Sequence, residues 1–144
     1  EFLSFSGGIY GLKGNRLKNR MEEVIKICGL NSERSKKIGQ LSRGYRQRTG
    51  LAHALIHDPE VLILDEPTSG MDPNQLSEIR SLIRNLGKTK TILFSTHILE
   101  EVKAVCDRVI IIHQGRIRSD FEMSELNKTF NGKTLEEIFK QYTS

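Results

Sequence analysis

Four apolar residues that run directly into two carboxylates most constrain the fold of this chain. The stretch spans Val61 to Pro67 and reads VLILDEP. A short apolar run of this kind predicts a strand buried on both faces, as in a parallel sheet. Carboxylates are costly to bury without a cation or partner, and open α/β sheets bind ligands at the carboxyl ends of their strands. The stretch therefore indicates either a metal-assisted reaction at a strand tip or a solvated acidic turn.

The patterns around this strand alternate between helices and further strands. Apolar positions at helical spacing predict helices over 15–28, 42–57, 73–86 and 98–106. Apolar runs predict a second buried strand at 91–95, a third strand at 108–113 and, after a Gln-Gly turn, a short fourth strand at 116–118. The pattern of the tail predicts a helix over 122–142, with a capping box formed by Thr134 and Glu137. This order predicts an α/β fold with a mainly parallel sheet, preceded by a helical segment.

The composition indicates a soluble globular domain and argues against several kinds of site. The 144 residues are 37% hydrophobic and carry a net charge of +4 from dispersed basic residues, which does not indicate nucleic-acid binding. Cys28 and Cys106 lie at apolar helical positions and form no CxxC pair, so we read both as buried small hydrophobes. The apolar runs are far shorter than the ~20 residues that a membrane helix needs.

Three places could carry chemistry, and each also has a purely structural explanation. Ser42 and Gly44 at a helix start offer N–H groups and a helix dipole to an anion, or a plain N-cap. At the strand tip, one of Asp65 and Glu66 could coordinate magnesium through water while the other orients or deprotonates a water molecule. His97 follows the next strand at the same predicted sheet edge, where it could contact a phosphoryl group, cap a helix or lie on the surface.

Taken together, four short segments resemble the motifs of the ATP-binding-cassette (ABC) ATPases in order and in spacing. LSRGY resembles the family signature, usually LSGGQ, and VLILDE resembles Walker B with its catalytic glutamate. The segment from Ser69 to Asp72 resembles the D-loop, and His97 resembles the switch histidine. The resemblance covers residues 41–119, and the LEEIF of the tail is similar to export-type cassette subunits of bacteria.

The resemblance implies a fold and a division of the chain. The fold is α/β, part of the parallel-sheet core of a P-loop NTPase (RecA-like) with a helical-subdomain segment at its amino end. Residues 1–40 correspond to the end of the helical subdomain, residues 41–120 to the signature helix and catalytic core, and residues 121–144 to a C-terminal helical tail.

The resemblance also implies a function, an ATPase that powers transport across a membrane. The signature residues would contact ATP held by an opposite subunit; these are Leu41, Ser42, Arg43, Gly44 and Tyr45. Asp65 would hold Mg²⁺ through water, while Glu66 and His97 would be catalytic. The D-loop that couples the two sites comprises Ser69, Gly70, Met71 and Asp72. The implied cofactors are ATP and Mg²⁺. The implied partners are a second ABC ATPase subunit and a transmembrane permease. The implied location is the cytoplasmic face of the cell membrane, as a peripheral subunit. No nucleic acid is expected.

Two departures from the family pattern limit these expectations. Arg43 and Tyr45 replace the usual glycine and glutamine, and we expect Ser42 and Gly44 to keep the phosphate contact. The chain contains no GxxxxGK[ST] loop, because the nearest frame, from Gly39, puts Tyr45 where lysine belongs. We therefore expect a C-terminal part of a cassette that binds ATP poorly alone, is less stable than the whole and tends to associate.

The missing loop also predicts a gap in the sheet. In the family, the P-loop strand would lie between strands 91–95 and 108–113, so direct pairing of these two strands would refute the gap. Three other functions stay open. A DNA-repair ATPase would add a coiled coil, whereas no heptad run is seen. A translation factor would carry two cassettes, whereas one set of motifs is present. An inert interaction fragment fits the absent loop.

Overall fold

The computed structural model describes residues 1–143, which form two compact units. The first unit spans Glu1–Ser95 and the second begins at Thr96. The first unit contains α1 (Phe2–Ile9), α2 (Gly14–Ile27), α3 (Arg43–Leu55), β1 (Val61–Asp65), α4 (Pro73–Gly87) and β2 (Thr91–Ser95). The second contains α5 (Leu99–Val105), β3 (Arg108–His113), β4 (Arg116–Glu122), α6 (Leu126–Thr129) and α7 (Leu135–Thr143). The division into three segments stays a prediction, and its last residue, Ser144, lies outside the described residues.

The two helices that flank β1 begin where the sequence predicts, because each has a side-chain cap. The Ser42 hydroxyl accepts a hydrogen bond from the Tyr45 N–H (3.4 Å) at the start of α3. The Asp72 carboxylate accepts hydrogen bonds from Asn74 N–H (3.0 Å) and Gln75 N–H (3.1 Å) at the start of α4. Proline 73 occupies the first turn of α4, where its missing N–H is not needed.

The first unit contains a parallel pair of strands, as predicted. The strands β1 and β2 pair in register from Val61 opposite Thr91 to Asp65 opposite Ser95. Their connection runs through α4, which also contacts β2. Parallel pairing brings the carboxyl ends of both strands to the same edge, so Asp65 and Ser95 are direct neighbours there.

The prediction that 61–65 and 91–95 are buried on both faces is wrong. Leu62 is 3% exposed, whereas Val61 is 56%, Ile63 is 73% and Leu93 is 55% exposed. Successive side chains of a strand point to opposite faces, and one face of this two-stranded sheet is open in the described part of the chain. The continuous apolar run indicates the environment these residues favour, which is a sheet covered on both faces.

Three helices form the other half of the first unit. The apolar faces of α1, α2 and α3 supply its buried residues, which include Leu3, Val24, Ile25, Cys28, Leu51, Ala52, Leu55 and Ile56. The Arg20 guanidinium donates to the Leu55 carbonyl (2.6 Å) and the Ile56 carbonyl (3.2 Å), which satisfies acceptors that α3 leaves free at its carboxyl end. Burial raises the pKa of the Cys28 thiol to about 12, so this cysteine is the inert hydrophobe that its spacing predicts.

The second unit is built on an antiparallel hairpin. Strands β3 and β4 pair from Arg108 opposite Glu122 to His113 opposite Arg116. Both turn residues, Gln114 (φ 50°) and Gly115 (φ 72°), adopt left-handed conformations, as a tight two-residue hairpin turn requires. The strand β4 continues to Glu122, beyond the predicted 116–118, and closes a core of Val102, Ile111, Phe121, Leu135 and Ile138.

The tail is interrupted rather than continuously helical. A 3₁₀ turn over Met123–Glu125 and the four-residue α6 precede a non-helical segment, and α7 follows. The predicted capping box at the start of α7 is confirmed, because the Glu137 carboxylate accepts from Thr134 N–H (2.7 Å) and the Thr134 hydroxyl accepts from Glu137 N–H (3.3 Å).

Among residues 1–143, β2 pairs with β1 and β3 pairs with β4, and the predicted gap between 91–95 and 108–113 stays a prediction. No helix in the same described range is both long and apolar enough to cross a membrane.

Candidate functional site

The carboxyl edge of the parallel pair brings Asp65, Glu66 and Ser95 together. The Ser95 hydroxyl donates a hydrogen bond to the Asp65 carboxylate (2.5 Å), and the Glu66 N–H donates to the Ser95 carbonyl (3.2 Å). Asp65 is exposed and Glu66 is partly buried. Asp65 and Glu66 therefore lie together at a strand tip, as the sequence predicts, with the Asp65 carboxylate bonded to the Ser95 hydroxyl and the Glu66 backbone bonded to the Ser95 carbonyl.

Glu66 adopts a backbone conformation that the sequence does not predict. Its φ is +47°, in the left-handed region that non-glycine residues rarely occupy. This conformation ends β1, and the chain turns at once, since the Ser69 N–H donates to the Glu66 carbonyl (3.1 Å). Left-handed residues other than glycine are costly and concentrate at functional sites. The backbone of Glu66 therefore indicates a functional role at this edge.

Gln47 of α3 is a neighbour of this edge that sequence reasoning missed. Its Nε2 donates to the Glu66 carbonyl (3.4 Å), which connects the signature helix to the end of β1. Within residues 1–143, the buried Gln47 Oε1 and the buried Thr68 Oγ1 have no hydrogen-bond partner. The only signal in the sequence is spacing, since Gln47 lies four residues after Arg43 and so on the same side of α3.

The start of α3 contains the signature residues. The Ser42 hydroxyl serves as the N-cap, so the structural explanation of this serine is confirmed, while its contact with phosphate stays a prediction. Leu41 is buried, and Gly44 is covered by the Gln75 side chain of α4. A Cβ at Gly44 would overlap the Gln75 side-chain amide, so any larger residue at this position would displace that amide.

Arg43 connects the signature to the predicted D-loop. Its guanidinium donates to the Ser69 hydroxyl (3.4 Å) and lies against Gly70, where a Cβ would be 2.4 Å from Cζ. The structure thus brings together two motifs that are 26 residues apart in the sequence. The other end of the loop is fixed by Asp72, which caps α4, while the expected coupling role of Asp72 stays a prediction.

Tyr45 packs near a buried arginine that sequence reasoning also missed. The Arg48 guanidinium carbon lies 5.8 Å from the Tyr45 ring centroid. Arg48 donates to the Cys28 carbonyl (3.4 Å) at the end of α2 and forms an ion pair with Glu78 of α4. Arg48 therefore joins three helices of the first unit immediately behind the signature.

His97 belongs to the second unit and follows β2 by two residues. The alternative that it caps a helix is wrong, because Ile98 occupies the N-cap position of α5 and the Thr96 hydroxyl accepts the Ile98 N–H (3.1 Å). Its expected contact with a phosphoryl group stays a prediction. Two other histidines have structural contacts, since His53 Nδ1 lies 2.8 Å from the Ser6 hydroxyl and His57 stacks on Tyr10.

The oxygen groups at the strand edge fit the chemistry of magnesium. Asp65 and the adjacent Ser95 hydroxyl offer hard oxygen atoms, and Mg²⁺ is usually held by one or two carboxylates together with phosphates and water. Among residues 1–143, no group of three histidine, cysteine, aspartate or glutamate side chains lies close enough to form a dedicated metal cage. Mg²⁺ that is held through water by a single carboxylate does not require such a cage.

A cavity of about 780 Å³ opens in the first unit beside this edge. Its lining is largely apolar and includes Leu51, Ala54, Ile63, Ile79 and Ile83, with Asp65 and Arg43 among the lining residues as well. This lining suits packing against apolar side chains better than it suits a triphosphate, because charged ligands need polar partners.

Comparisons with known proteins agree with the motif order. A family model described as "ABC transporter" matches residues 6–69, which include the signature, Asp65, Glu66 and Ser69. The chain is 39% identical over 140 residues to the ABC transporter ATP-binding protein NatA of Bacillus subtilis (strain 168), which covers 96% of this chain and 57% of that protein. It is 46% identical over 125 residues to the bacitracin transport ATP-binding protein BcrA of Bacillus licheniformis, which covers 85% of this chain and 40% of that protein.

A solved structure shows the same fold. The structure described as an ATP-binding subunit of an ABC transporter matches 99% of this chain and 60% of that chain, with a TM-score of 0.81 and 26% sequence identity. This chain thus spans roughly half the length of the curated relatives named here. From the ordered motifs, the matching family model, the relatives and the shared fold, we conclude that the chain belongs to the ATP-binding-cassette family of transporter ATP-binding proteins.

Proposed function

We propose that this chain supplies the signature, Walker B, D-loop and switch histidine of an ATPase that powers transport across a membrane through a partner permease. One observation carries the proposal. At the carboxyl edge of a parallel strand pair, Asp65 and Glu66 lie side by side, fixed by Ser95 and by the left-handed turn at Glu66. Phosphoryl transfer depends mainly on positioning and on neutralising charge, and a fixed pair of carboxylates at a strand tip suits both tasks.

Each carboxylate has its own role in this proposal. Asp65 would hold Mg²⁺ through water, and the metal would neutralise charge on the phosphates of ATP. Glu66 would orient the attacking water and accept its proton. The turn that follows Glu66 keeps its carbonyl hydrogen-bonded to Gln47 and to Ser69, so the backbone of this residue is restrained from both sides.

Residues outside these two strands would complete the site. Ser42 and Gly44 would contact the γ-phosphate of ATP bound by an opposite subunit, and His97 would also contact a γ-phosphate. A phosphate-binding loop outside these 144 residues would cradle the β- and γ-phosphates, since the sequence contains no such loop. The D-loop, with Asp72, would couple the two sites of the dimer.

The proposed partners follow from the family and from the names of relatives. A dimer of two cassettes would sit at the cytoplasmic face of the cell membrane as a peripheral subunit bound to a permease. The relative named as a bacitracin transport protein supports a role in transport, and the resemblance of the LEEIF segment, which begins α7, supports an export-type cassette. The alternatives are a DNA-repair ATPase, a translation factor and an inert interaction fragment, and the ATP turnover measured below separates an ATPase from the inert fragment.

The decisive experiment replaces Glu66 by glutamine in the whole protein and measures ATP turnover. We expect turnover to fall about 100-fold or more, because removal of a general base typically costs 10² to 10⁴, while ATP binding persists. The matched control is Glu100→Gln, an exposed glutamate of α5 that pairs with Lys103. Unchanged turnover in the Glu66 variant would contradict the assigned role.

The nucleotide affinity of the 144-residue chain provides a second test. We expect this chain to bind ATP poorly, because it lacks the loop that contributes most phosphate contacts. Isothermal titration with ATP and Mg²⁺ measures the affinity directly. A dissociation constant in the micromolar range would show that the nucleotide site has been assigned to the wrong residues.

A further inference from the structure

We propose that Arg43 is a positioning residue that ties the signature turn to the D-loop, so that the two segments move together. The proposal rests on the proposed function, in which the signature contacts ATP of the opposite subunit and the D-loop couples the two sites. It begins from a departure in the sequence, since arginine stands here where the family usually has glycine. A glycine could not make the contacts with Ser69 and Gly70 that the Arg43 side chain makes.

The first observation is the contact between Arg43 and the loop. The Nη2 atom of Arg43 lies 3.4 Å from the Ser69 hydroxyl. The guanidinium also covers the face of Gly70 where a side chain would start, because a Cβ at that position would lie 2.3 Å from Nη1, 2.4 Å from Cζ and 2.8 Å from Nε. Three atoms of the planar group therefore approach one glycine, and this arrangement depends on the absence of a side chain at residue 70.

The second observation is a contact in the opposite direction. The side chain of Gln75, in the first turn of α4, covers Gly44, the residue after Arg43. The backbone of Gln75 donates to the Asp72 carboxylate (3.1 Å), so the cap that ends the D-loop also fixes the turn carrying Gln75. One side chain thus reaches from the signature to the D-loop, and another returns from the helix after the D-loop to the signature.

These two contacts form an interlock between segments that are distant in the sequence. Each long side chain lies on a glycine of the other segment, and a shift of either segment alone would separate a guanidinium from Gly70 or an amide from Gly44. Lysine at position 43 could still reach the Ser69 hydroxyl, but its ammonium group is a compact charge and cannot cover Gly70 as a planar guanidinium does. The interlock therefore predicts that arginine at this position is not replaceable by lysine.

The first test measures the interlock without any activity. The Ser69 N–H donates to the Glu66 carbonyl and the Met71 N–H donates to the Thr68 carbonyl, so amide hydrogen exchange at residues 69 and 71, measured in the whole protein, reports the order of the loop. We expect Arg43→Ala to speed exchange at both amides about tenfold, Arg43→Lys to recover less than half of the protection, and Arg16→Ala, an exposed arginine of α2, to change nothing. Unchanged exchange in Arg43→Ala would overturn the proposal.

The second test measures the consequence for ATP hydrolysis. We expect Arg43→Ala to lower kcat about tenfold, to change KM for ATP less than threefold and to reduce the Hill coefficient for ATP toward one, because coupling between sites typically amounts to 5- to 150-fold. Ser69→Ala is expected to act non-additively with Arg43→Ala in kcat. Fully additive effects, or faster exchange with unchanged kcat and Hill coefficient, would refute the coupling.

The failure of the proposed function is distinguishable from failure of this inference. If the wild-type protein and Arg16→Ala both hydrolyse no ATP, the proposed function fails, and the exchange measurement alone decides whether Arg43 orders the loop. If the wild-type protein hydrolyses ATP and Arg16→Ala does so with the same kinetics, the exchange and kinetic tests of Arg43→Ala together decide the inference.

Discussion

The Ser95 hydroxyl donates a hydrogen bond to the Asp65 carboxylate across the last rung of the parallel pair, at 2.5 Å. Both residues end their strands, so the bond links the two strand tips where the proposed magnesium ligand is exposed. It orients one oxygen of Asp65 and leaves the other free to face solvent or a metal-bound water.

Replacing Ser95 by alanine is expected to weaken the placement of Asp65. We expect a loss of about 1 kcal/mol in the free energy of unfolding, typical of one hydrogen bond, and a several-fold rise in the Mg²⁺ concentration that gives half-maximal ATPase. Titration of ATPase activity with Mg²⁺ in the whole protein measures the second effect. Ser81→Ala removes a hydroxyl that bonds to Ser77 on the surface of α4 and is the control. Identical Mg²⁺ titrations for both variants would contradict the prediction.

Substitutions of Asp72 separate its role as a helix cap from its proposed role in coupling. Asp72→Ala removes the acceptor of two N–H groups and is expected to cost about 1 kcal/mol of stability. Asp72→Asn is expected to keep most of that stability, because asparagine caps helices as well as aspartate does. Thermal unfolding of both variants measures the cap, and kcat of the Asn variant measures the need for the charge. Equal destabilisation by both substitutions would show that the charge, not the cap, holds the helix start.

Arg48 is expected to be the most destabilising of the signature-helix arginines to remove. It is 9% exposed and joins the Cys28 carbonyl, Glu78 and the Tyr45 ring. Arg48→Ala should cost about 2 kcal/mol, because it removes charged hydrogen bonds and leaves a buried carbonyl without its donor. Glu78→Gln, at a partner whose side chain is 64% exposed, should cost less than about 1 kcal/mol. Urea unfolding of both variants tests this order, and a larger loss for Glu78→Gln would reverse the argument.

Asp58 should make the stability of the first unit depend on acidic pH. Its pKa lies below the ordinary value of 3.8, because it accepts a hydrogen bond from Lys90 (2.7 Å) and lies beside Arg20. A lowered pKa in the folded state means that the contribution to stability is complete above the unfolded pKa and is lost as pH falls through the folded value. Asp58→Asn is a matched variant, since asparagine also tolerates the φ of +58° at this position.

Thermal unfolding at pH 7, 5 and 3 measures this dependence. We expect Asp58→Asn to unfold at a lower temperature than the wild type at pH 7 and at pH 5, and the difference to shrink by pH 3. A constant difference across this range would show that the carboxylate charge of Asp58 does not stabilise the fold.

The open face of the first sheet should make the 144-residue chain associate. Ile63, Leu93 and Val61 are more than half exposed, and in the described part of the chain β1 and β2 each pair along one edge only. Exposed apolar strands with unpaired edges favour contacts between copies. Sedimentation velocity at rising concentration should show association, reduced in Ile63→Thr and unchanged in Ile27→Thr, a less exposed isoleucine of α2. A monomer at all concentrations would contradict the prediction.

The local features of this fold follow from the sequence because local residues determine them. Ser42 and Asp72 cap their helices, the Gln-Gly pair turns the hairpin, and apolar runs mark the strands. The exposure of Ile63 could not be predicted, because apolarity indicates which surroundings a residue favours and not which surroundings are present. The contacts of Arg43 and Arg48 could not be predicted either, because each joins segments 20 or more residues apart.

At Glu66 the left-handed backbone lowers stability, while the side chain is needed by the proposed function. Glycine would adopt this conformation without the penalty that any Cβ incurs, whereas glutamate holds it at a cost of about 1 kcal/mol. Selection for stability alone would therefore favour glycine here and remove a side chain that the proposed hydrolysis needs. At this residue the chain holds a conformation that costs stability, at the side chain to which the proposed function assigns the general base.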